Sequence, residues 1–478
     1  MQHPNEPTST ASYAQLVEEN AQLRAAIVIL SAQVLELQAR LGKNSRNSSR
    51  PPSSDGLAKP APKSLRIAGQ RPIGAPVGHK ADTLRQSSEV DAIVQHFGPA
   101  QCSVCASTLP GYAAAEGRQV FELPVLRAQV IEHQRMRSVC ACGAVHTGEF
   151  PKGVSSPVQY GPRLKAVCVN FNQQQFVPLA RTCEVMADIF GVAVSETSVL
   201  AFTHEAAQVL EPVVARIAQA VQASPVVCAD ESGIRSEGQT QWLHCAVTPT
   251  LTHLAHHPKR GSQATQDIGI LPGVRGVLIH DGLPSYKRLD ECTHGLCNAH
   301  HLRELVYIHE HLRERAFDGW AGEMGELLCQ ANSEVLAHSA PLTQERMAHY
   351  ESAWSALLER GEHFNPRQEP RAGYAKVQGR IKQSKQFNLL ARLRTLRADV
   401  WRFATDEGVP FTNNLAEQAL RMSKVKQKVS GCFRTDEGAS TFFTIRSYLQ
   451  TMRKQQRCLF DCLVGVFNAQ PVLPDFGV

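Results

Sequence analysis

Two apolar runs in this 478-residue chain each deliver an aspartate to a break. The first is Pro225-Val-Val-Cys-Ala-Asp230-Glu-Ser-Gly; the second is Gly276-Val-Leu-Ile-His-Asp281-Gly. Each reads as a short buried strand with an acid at its end, stopped by Ser or Gly. Two carboxylates brought into one site repel each other unless cations sit between them. All-oxygen ligation suits Mg²⁺ or Mn²⁺, and a pair of such ions can clamp the attacking and leaving oxygens of a phosphodiester. That chemistry calls for a third acid, and the best candidate is Glu417 in Phe411-Thr-Asn-Asn-Leu-Ala-Glu417-Gln-Ala-Leu-Arg421. A structural alternative stands beside it: Asn414 could cap a helix, with Glu417 as its capping-box partner. Arg421, Lys424 and Lys428 follow at helical spacing and lay positive charge along the face that carries Glu417.

The elements that must position these acids are legible around them. Gln241–Val247 and Leu251–His256 alternate as strands, and Thr248-Pro249-Thr250 joins them as a hairpin. A short helix is expected from Ser262 to Ile270. Strand, hairpin, helix, strand, with acids at two strand ends, is the opening of a ribonuclease-H-like fold. Lys259 and Arg260, just past the hairpin, are candidates to hold phosphates, as are Arg421, Lys424 and Lys428; each is otherwise an exposed surface charge.

In these contexts Asp230, Asp281 and Glu417 resemble the DDE transposases of the insertion sequence 66 family. Asn413-Asn414-Leu-Ala-Glu417, with Lys424-Val-Lys-Gln-Lys-Val-Ser-Gly431 behind it, is similar to the family's third-acid motif, and Phe433-Arg434-Thr-Asp-Glu-Gly438 to its continuation. Asn44-Ser-Arg-Asn-Ser-Ser-Arg-Pro-Pro-Ser-Ser-Asp-Gly56 resembles a family signature; Gly69–Lys80 is a looser match to its glycine-rich segment. The resemblance implies two Mg²⁺ (or Mn²⁺) ions held by Asp230, Asp281 and Glu417. It also implies cleavage at the ends of a mobile element and joining of the freed 3′ hydroxyls to target DNA. Cys297 and His300 match a Cys-x-x-His signature shared by several DDE groups. They read as an auxiliary polar strut beside the site, and a second zinc with Cys292 and His294 is the alternative.

The rest of the chain suits that reading. Leu16, Leu23, Leu30 and Leu37 recur every seventh residue, with Tyr13, Asn20, Ile27, Val34 and Leu41 at the a positions. This is the pattern of a two-stranded parallel coil, in which the lone a-position asparagine sets register. From Gly42 to Lys80 there are eight Lys/Arg against one Asp, amid Ser, Pro, Gly and Asn. Such a stretch cannot bury a core, and its charge suits a phosphate backbone. Cys102-Ser-Val-Cys105 and Cys140-Ala-Cys142, joined by an expected strand-rich loop from Gln119 to Glu132, could supply four thiolates to one Zn²⁺. His146 is a possible substitute ligand. Val177–Phe190, the Gly191 turn and a helix capped by Ser195 have a helix-turn-helix shape. From Leu302 to Arg402 the pattern is helical and charged, with Trp320, Trp354 and Trp401 as apolar anchors.

The expected organisation is therefore a multidomain α/β protein. A leucine-zipper coiled coil spans 1–41, a basic disordered linker 42–95, a zinc-binding domain 96–150 and a helical, helix-turn-helix-like DNA-binding region 151–222. The ribonuclease-H-like core begins at 223–301, is interrupted by a helical insertion at 302–405, and resumes with the third-acid helix at 406–450; 451–478 is a C-terminal segment. The 14 scattered cysteines and the lack of a long apolar run point to a reduced, cytoplasmic, nucleoid-associated bacterial protein with no membrane partner. The net charge of +6 is modest, and its distribution carries more than its sum. The expected partners are terminal-repeat and target DNA, a second copy of the chain through the coil, and, by the resemblance, small accessory proteins of the same element. Two rivals are a related metal-dependent nuclease such as a junction resolvase, and an inactive transposase-derived DNA-binding regulator.

The coil makes a direct prediction. Asn20 is the only polar a residue besides Tyr13, and burying it costs stability while excluding other strand numbers. Asn20→Val should raise the melting temperature of the 11–41 peptide and loosen its dimer preference in sedimentation equilibrium. A wild-type peptide that stays monomeric at high concentration would remove the zipper.

Overall fold

The computed structural model describes residues 13–41, 83–311, 319–369 and 381–477. The Asn44–Gly56 and Gly69–Lys80 segments lie outside the described residues. Helix α1 (Tyr13–Leu41) comes first. Two three-residue strands, β1 (Arg137–Val139) and β2 (Val145–Thr147), then pair antiparallel. Next come α2 (Pro162–Val169), a π-turn at Asn170–Gln174, α3 (Leu179–Phe190) and α4 (Glu196–Gln222). The main sheet is formed by β3 (Val226–Ser236), β4 (Gln239–Val247), β5 (Thr252–His257), β6 (Val277–His280) and β7 (Thr293–Leu296), with α5 (Ser262–Ile268) between β5 and β6. After it come α6 (Asn298–His311), α7 (Trp320–His338), α8 (Gln344–Phe364), α9 (Lys385–Thr395) and α10 (Arg397–Thr405). The chain closes with α11 (Asn414–Ser430), α12 (Asp436–Lys454) and α13 (Leu459–Phe467).

The main sheet has the order β5-β4-β3-β6-β7. β3, β4 and β5 are antiparallel neighbours, whereas β6 and β7 run parallel to β3. The expected hairpin, the short helix and the second aspartate strand are all present. β3, however, does not stop at Asp230. It continues through Ser232 and Gly233 to Ser236, paired with β4 along its length. The turn lies at Glu237 and Gly238, both with positive φ (52° and 74°). That conformation matches the twist of a two-residue hairpin. Ser232 and Gly233 carry turn chemistry, but the β4 ladder outweighs it.

What ends early, at Cys228, is the pairing on the other side of β3. Parallel pairing with β6 runs only from Val226↔Val277 to Cys228↔Ile279. A side chain on Gly276 would run into the Pro225 carbonyl, so β6 can enter this pairing only with glycine there. Beyond Cys228 that edge of β3 is open to another element.

Side chains alternate across the sheet, and each face has its own core. Cys228, Leu243, Cys245, Leu254, Ile279 and Leu296 pack with α6–α11. The expected anchors Trp320, Trp354 and Trp401 lie fully within this cluster, and Trp354 meets Trp401 edge-to-face at 5.4 Å. Val227, Ala229, Ala246 and Leu278 pack on the opposite face with α2–α4, α12 and α13. The helices of 151–222 therefore share a core with the sheet instead of standing apart from it. Gly191 (φ 64°) ends α3, and Ser195 Oγ caps α4 by accepting from Ser198 N at 3.1 Å, as expected. But α4 is 27 residues long and buries Val199, Phe202, Leu210, Ile217 and Val221 against this core. One face of the second helix of the pair is thus committed to packing.

The Gln119–Glu132 stretch contains no strand; the only strands of that region are β1 and β2. No residue from 83 to 160 is buried. On α1, Leu16, Leu23, Leu30 and Leu37 are 47 %, 60 %, 58 % and 54 % exposed, so this stripe has no apolar partner within the described residues. Among the described residues no helix is long and apolar enough to cross a membrane.

An edge strand presents unpaired backbone groups that must be covered. On β5, α12 does this with hydroxyls: Thr252 N donates to Thr451 Oγ1 at 3.0 Å and Leu254 N to Ser447 Oγ at 2.9 Å. Lys454 Nζ donates to the carbonyls of Thr248 and Leu251 at 2.6 and 2.7 Å. Thr451→Val keeps the shape and leaves the buried Thr252 N–H without a partner. It should cost about 1–3 kcal/mol, read as a lowered urea midpoint with unchanged slope.

Candidate active site

The parallel register explains why two acids 51 positions apart meet. Carrying the Val226↔Val277 pairing on past Cys228↔Ile279 by two steps sets Asp230 level with Asp281. Residues at the same level of neighbouring strands project from the same face. Carboxylate oxygens of Asp230, Glu231 and Asp281 lie within 4.8 Å of one another. Asp281 Oδ1 also accepts from Leu283 N at 2.9 Å, and His280 Nδ1 accepts from Gly282 N at 2.9 Å, so the turn after β6 is pinned on both sides.

The open edge of β3 receives α11. Asn413 Nδ2 donates to Ala229 O at 2.7 Å, and Lys424 Nζ donates to Gly233 O. Ala416, Ala419, Leu420 and Ser423 form the buried face of α11. Docking there brings Glu417 to the same end of the sheet as the aspartates, although its carboxylate groups with other partners. A Glu417 oxygen lies within 4.8 Å of both a Cys297 and a His300 ligand atom, and Arg303 Nη2 is 3.6 Å from Glu417 Oε1.

The capping-box alternative for Glu417 is not what forms. Asn413, not Asn414, is the N-cap, and its side chain makes no cap hydrogen bond. Its amide is spent on Ala229, and Glu417 falls one position beyond the box. Cys292 and His294 are likewise elsewhere: Cys292 Sγ donates to Leu289 O at 3.4 Å, and His294 Nδ1 is 3.1 Å from His280 Nε2. They are not ligand partners of Cys297 and His300.

Burial, reinforced by Glu231, Asp281 and Glu417, raises the Asp230 carboxyl to about 8. Three acids gathered in one half-buried site, with Glu417 near them, is an arrangement that divalent cations would relieve.

Glu231 was not singled out from sequence. Its side chain is 1 % exposed and accepts from Arg260 Nε and Nη2 at 2.9 and 2.6 Å, and from the Tyr286 hydroxyl. Burial raises its carboxyl pKa, while Tyr286 and Arg260 work in the other direction. The Arg260 guanidinium also lies 4.7 Å over the Trp242 ring. Arg260 is thus committed to a buried carboxylate and not free for phosphate. The only signal in the sequence was an acid directly after Asp230 inside an apolar run. Lys259, Arg421 and Lys428 are exposed, and Lys424 is tied to β3.

The Cys102–Cys105 and Cys140–Cys142 pairs each close locally. Hydrogen bonds from Ser107 lower the Cys105 thiol to about 7, and the Cys142 backbone and thiol lower Cys140. Cys102 and Cys105 sit in a tight turn, and Cys140 and Cys142 at the end of the β1–β2 hairpin. Among the described residues these four thiols are not gathered into one ligand set with each other or with His146.

The chain is thus a mixed α/β protein that gathers three carboxylates where its parallel strands end, a grouping able to hold a divalent cation. The family model described as "Transposase IS66 family" matches residues 157–441, more than half of the chain, and the chain belongs to that family. A second model, a family of unknown function (DUF6444), matches residues 2–85. No curated protein matches the chain.

The raised Asp230 pKa predicts a pH dependence of stability. The folded value lies near 8 against an ordinary 3.8, so the native state holds a proton that the unfolded chain has already released. Stability in metal-free buffer should therefore be highest at low pH and fall as pH rises through this window. Thermal denaturation across it should show that fall in the wild type and a flatter profile in Asp230→Asn. Added Mg²⁺ should raise the wild-type melting temperature more at the alkaline end.

Proposed function

We propose that this chain cleaves the ends of a mobile element and joins the freed 3′ hydroxyls to target DNA, with Asp230, Asp281 and Glu417 holding a pair of divalent cations. The observation that carries the reading is the gathering of the Asp230, Glu231 and Asp281 carboxylates within 4.8 Å of one another where β3 and β6 part, with α11 docked beside them. Oxygen-only ligation by the aspartates fits Mg²⁺ or Mn²⁺. When bound, such ions supply a polarised nucleophile and neutralise the leaving oxygen.

The protein's own part is positioning. β3 and β6 hold the two aspartates in register. The Asn413–Ala229 bond fixes the first turn of α11 against β3 and with it Glu417. The Glu231–Arg260–Tyr286 cluster braces the backbone directly after Asp230. Arg421 and Lys428 on the exposed side of α11, with Lys259, are the groups we assign to DNA phosphates. Such contacts give affinity and register but carry no base readout.

Three antiparallel strands followed by two parallel ones, with helices on both faces, support a ribonuclease-H-like reading of the core. The segment 302–405 then becomes an insertion anchored by its tryptophans. The exposed leucine stripe of α1 supports pairing with a second copy, which would bring two DNA ends together. A segment from 83 to 160 without one buried residue has no core of its own, so a Zn²⁺ staple through Cys102, Cys105, Cys140 and Cys142 would require the two cysteine pairs, which are apart here, to come together.

Asp230→Asn, Asp281→Asn and Glu417→Gln each remove a ligand charge and keep side-chain shape. Each should lower Mg²⁺-dependent cleavage of labelled end DNA by at least about 10³-fold, with end binding in a gel-shift assay nearly unchanged. Substantial cleavage by any one of them would take that residue out of the site. Preference for branched DNA would favour a resolvase, and binding without any cutting would favour a regulator.

A further inference from the structure

Glu417 is grouped with Cys297 and His300, not with another oxygen ligand, and that grouping has its own chemistry. Cys297 immediately precedes α6, and His300 lies in its first turn; His300 N donates to Cys297 O at 3.2 Å. This is the spacing at which residues on either side of a helix start face each other. The first turn of α11 then brings the carboxylate across. A Cys297 sulfur, a His300 ring nitrogen and a Glu417 oxygen all lie within 4.8 Å of one another.

We propose that Cys297, His300 and Glu417 form a binding site for a divalent transition cation of the Zn²⁺ class, distinct in ligand type from the aspartate pair. Thiolate, imidazole and carboxylate together select such an ion over Mg²⁺ and Ca²⁺, which take oxygen alone. Three protein ligands are also the number used by zinc sites that work with a fourth, exchangeable ligand.

Two further observations point to a ligand. His300 Nδ1 is buried and makes no hydrogen bond among the described residues, a cost that protein interiors rarely carry without a reason. The Cys297 sulfur is buried, and Asn413 N donates to it at 3.2 Å. Amides directed at sulfur are the outer-shell support that metal-bound thiolates use. Asn413 therefore joins three features: the N-cap of α11, the Ala229 carbonyl of β3 and the Cys297 sulfur. Arg303 Nη2 stands 3.6 Å from Glu417 Oε1. Binding releases the Cys297 thiol proton to solvent, so affinity rises with pH. A cation here would pin the start of α11 to the start of α6 and fix Glu417. The site stands on these three side chains and does not depend on the chain cutting DNA.

The test uses the full chain, stripped with chelator and titrated with Co²⁺ as a spectroscopic probe. The wild type should bind one more Co²⁺ per chain than Cys297→Ala, and the thiolate-to-metal charge-transfer band should drop in that variant. His300→Ala should lose affinity by more than the roughly 10–100-fold that removal of an outer-shell partner costs. Cys102→Ser/Cys105→Ser, outside this site, should leave the difference intact. Identical Co²⁺ stoichiometry and absorption in wild type and Cys297→Ala overturn the proposal. Should Cys297→Ala fail to fold by circular dichroism, His300→Ala decides, and unchanged Co²⁺ affinity there overturns it. Mg²⁺-dependent DNA cleavage is a separate readout, so failure of this site and failure of the transposase reading are distinguishable.

Discussion

The structure depends on where β3 stops pairing with β6. The parallel ladder ends at Cys228↔Ile279, two residues short of Asp230 and Asp281. Had it continued, the backbone carbonyl of Ala229 would have been consumed by the ladder. Instead it is free to accept from Asn413, and α11 docks where a strand would otherwise lie. A single interrupted ladder thus does two things: it leaves two carboxylates level with each other and it seats the helix that carries the third.

Bringing acids together opposes folding, and the surrounding structure is arranged around that cost. Glu231, whose carboxylate lies beside those of Asp230 and Asp281, accepts from Arg260 and Tyr286, so one buried charge of the cluster is partly compensated within the protein. Asp230 has no such cationic partner, and burial raises its carboxyl to about 8. Glu417 has Arg303 near one oxygen and the Cys297–His300 pair beside it. The compensation therefore differs among the acids: Glu231 is hydrogen-bonded to Arg260 and Tyr286, whereas Asp230 accepts from the Glu231 N–H.

The two cores divide the work. One face of the sheet carries α2–α4, α12 and α13, and α12 also closes the β5 edge with side-chain hydroxyls. The other face carries α6–α11 with the tryptophans and is the side toward which Asp230 and Asp281 project. The long segment between Asp281 and Glu417 therefore does more than separate them in sequence. α10 packs on β7, and Asn298 Nδ2 of α6 donates to Val400 O of α10 at 3.0 Å. The start of α6, with Cys297 and His300, is held in place by the insertion.

Local pattern was enough for much of this. Alternation and turn residues located β4, β5, α5 and β6, the Gly191 turn and the Ser195 cap, because each depends on near neighbours in the chain. Asp230 and Asp281 were legible as acids at the ends of apolar strands, and the leucine stripe of α1 as an apolar face that no other described residue covers. Membership of the IS66 transposase family was legible from the motifs around Asp230, Asp281 and Glu417. What tertiary structure alone decided follows from long-range pairing. Ser232 and Gly233 look like a strand end, but the β4 ladder carries β3 through them. Asn414 and Glu417 look like a capping box, but the Ala229 carbonyl claims Asn413 and shifts the helix start by one residue. Arg260 looks like a free phosphate ligand, and Glu231 like an incidental neighbour, until 29 residues of separation fold them into one ion pair. Glu417 meets Cys297 and His300 only because α11 fills the edge that β6 leaves open. No window of sequence contains that geometry, since its cause is the end of a ladder between strands about 50 residues apart.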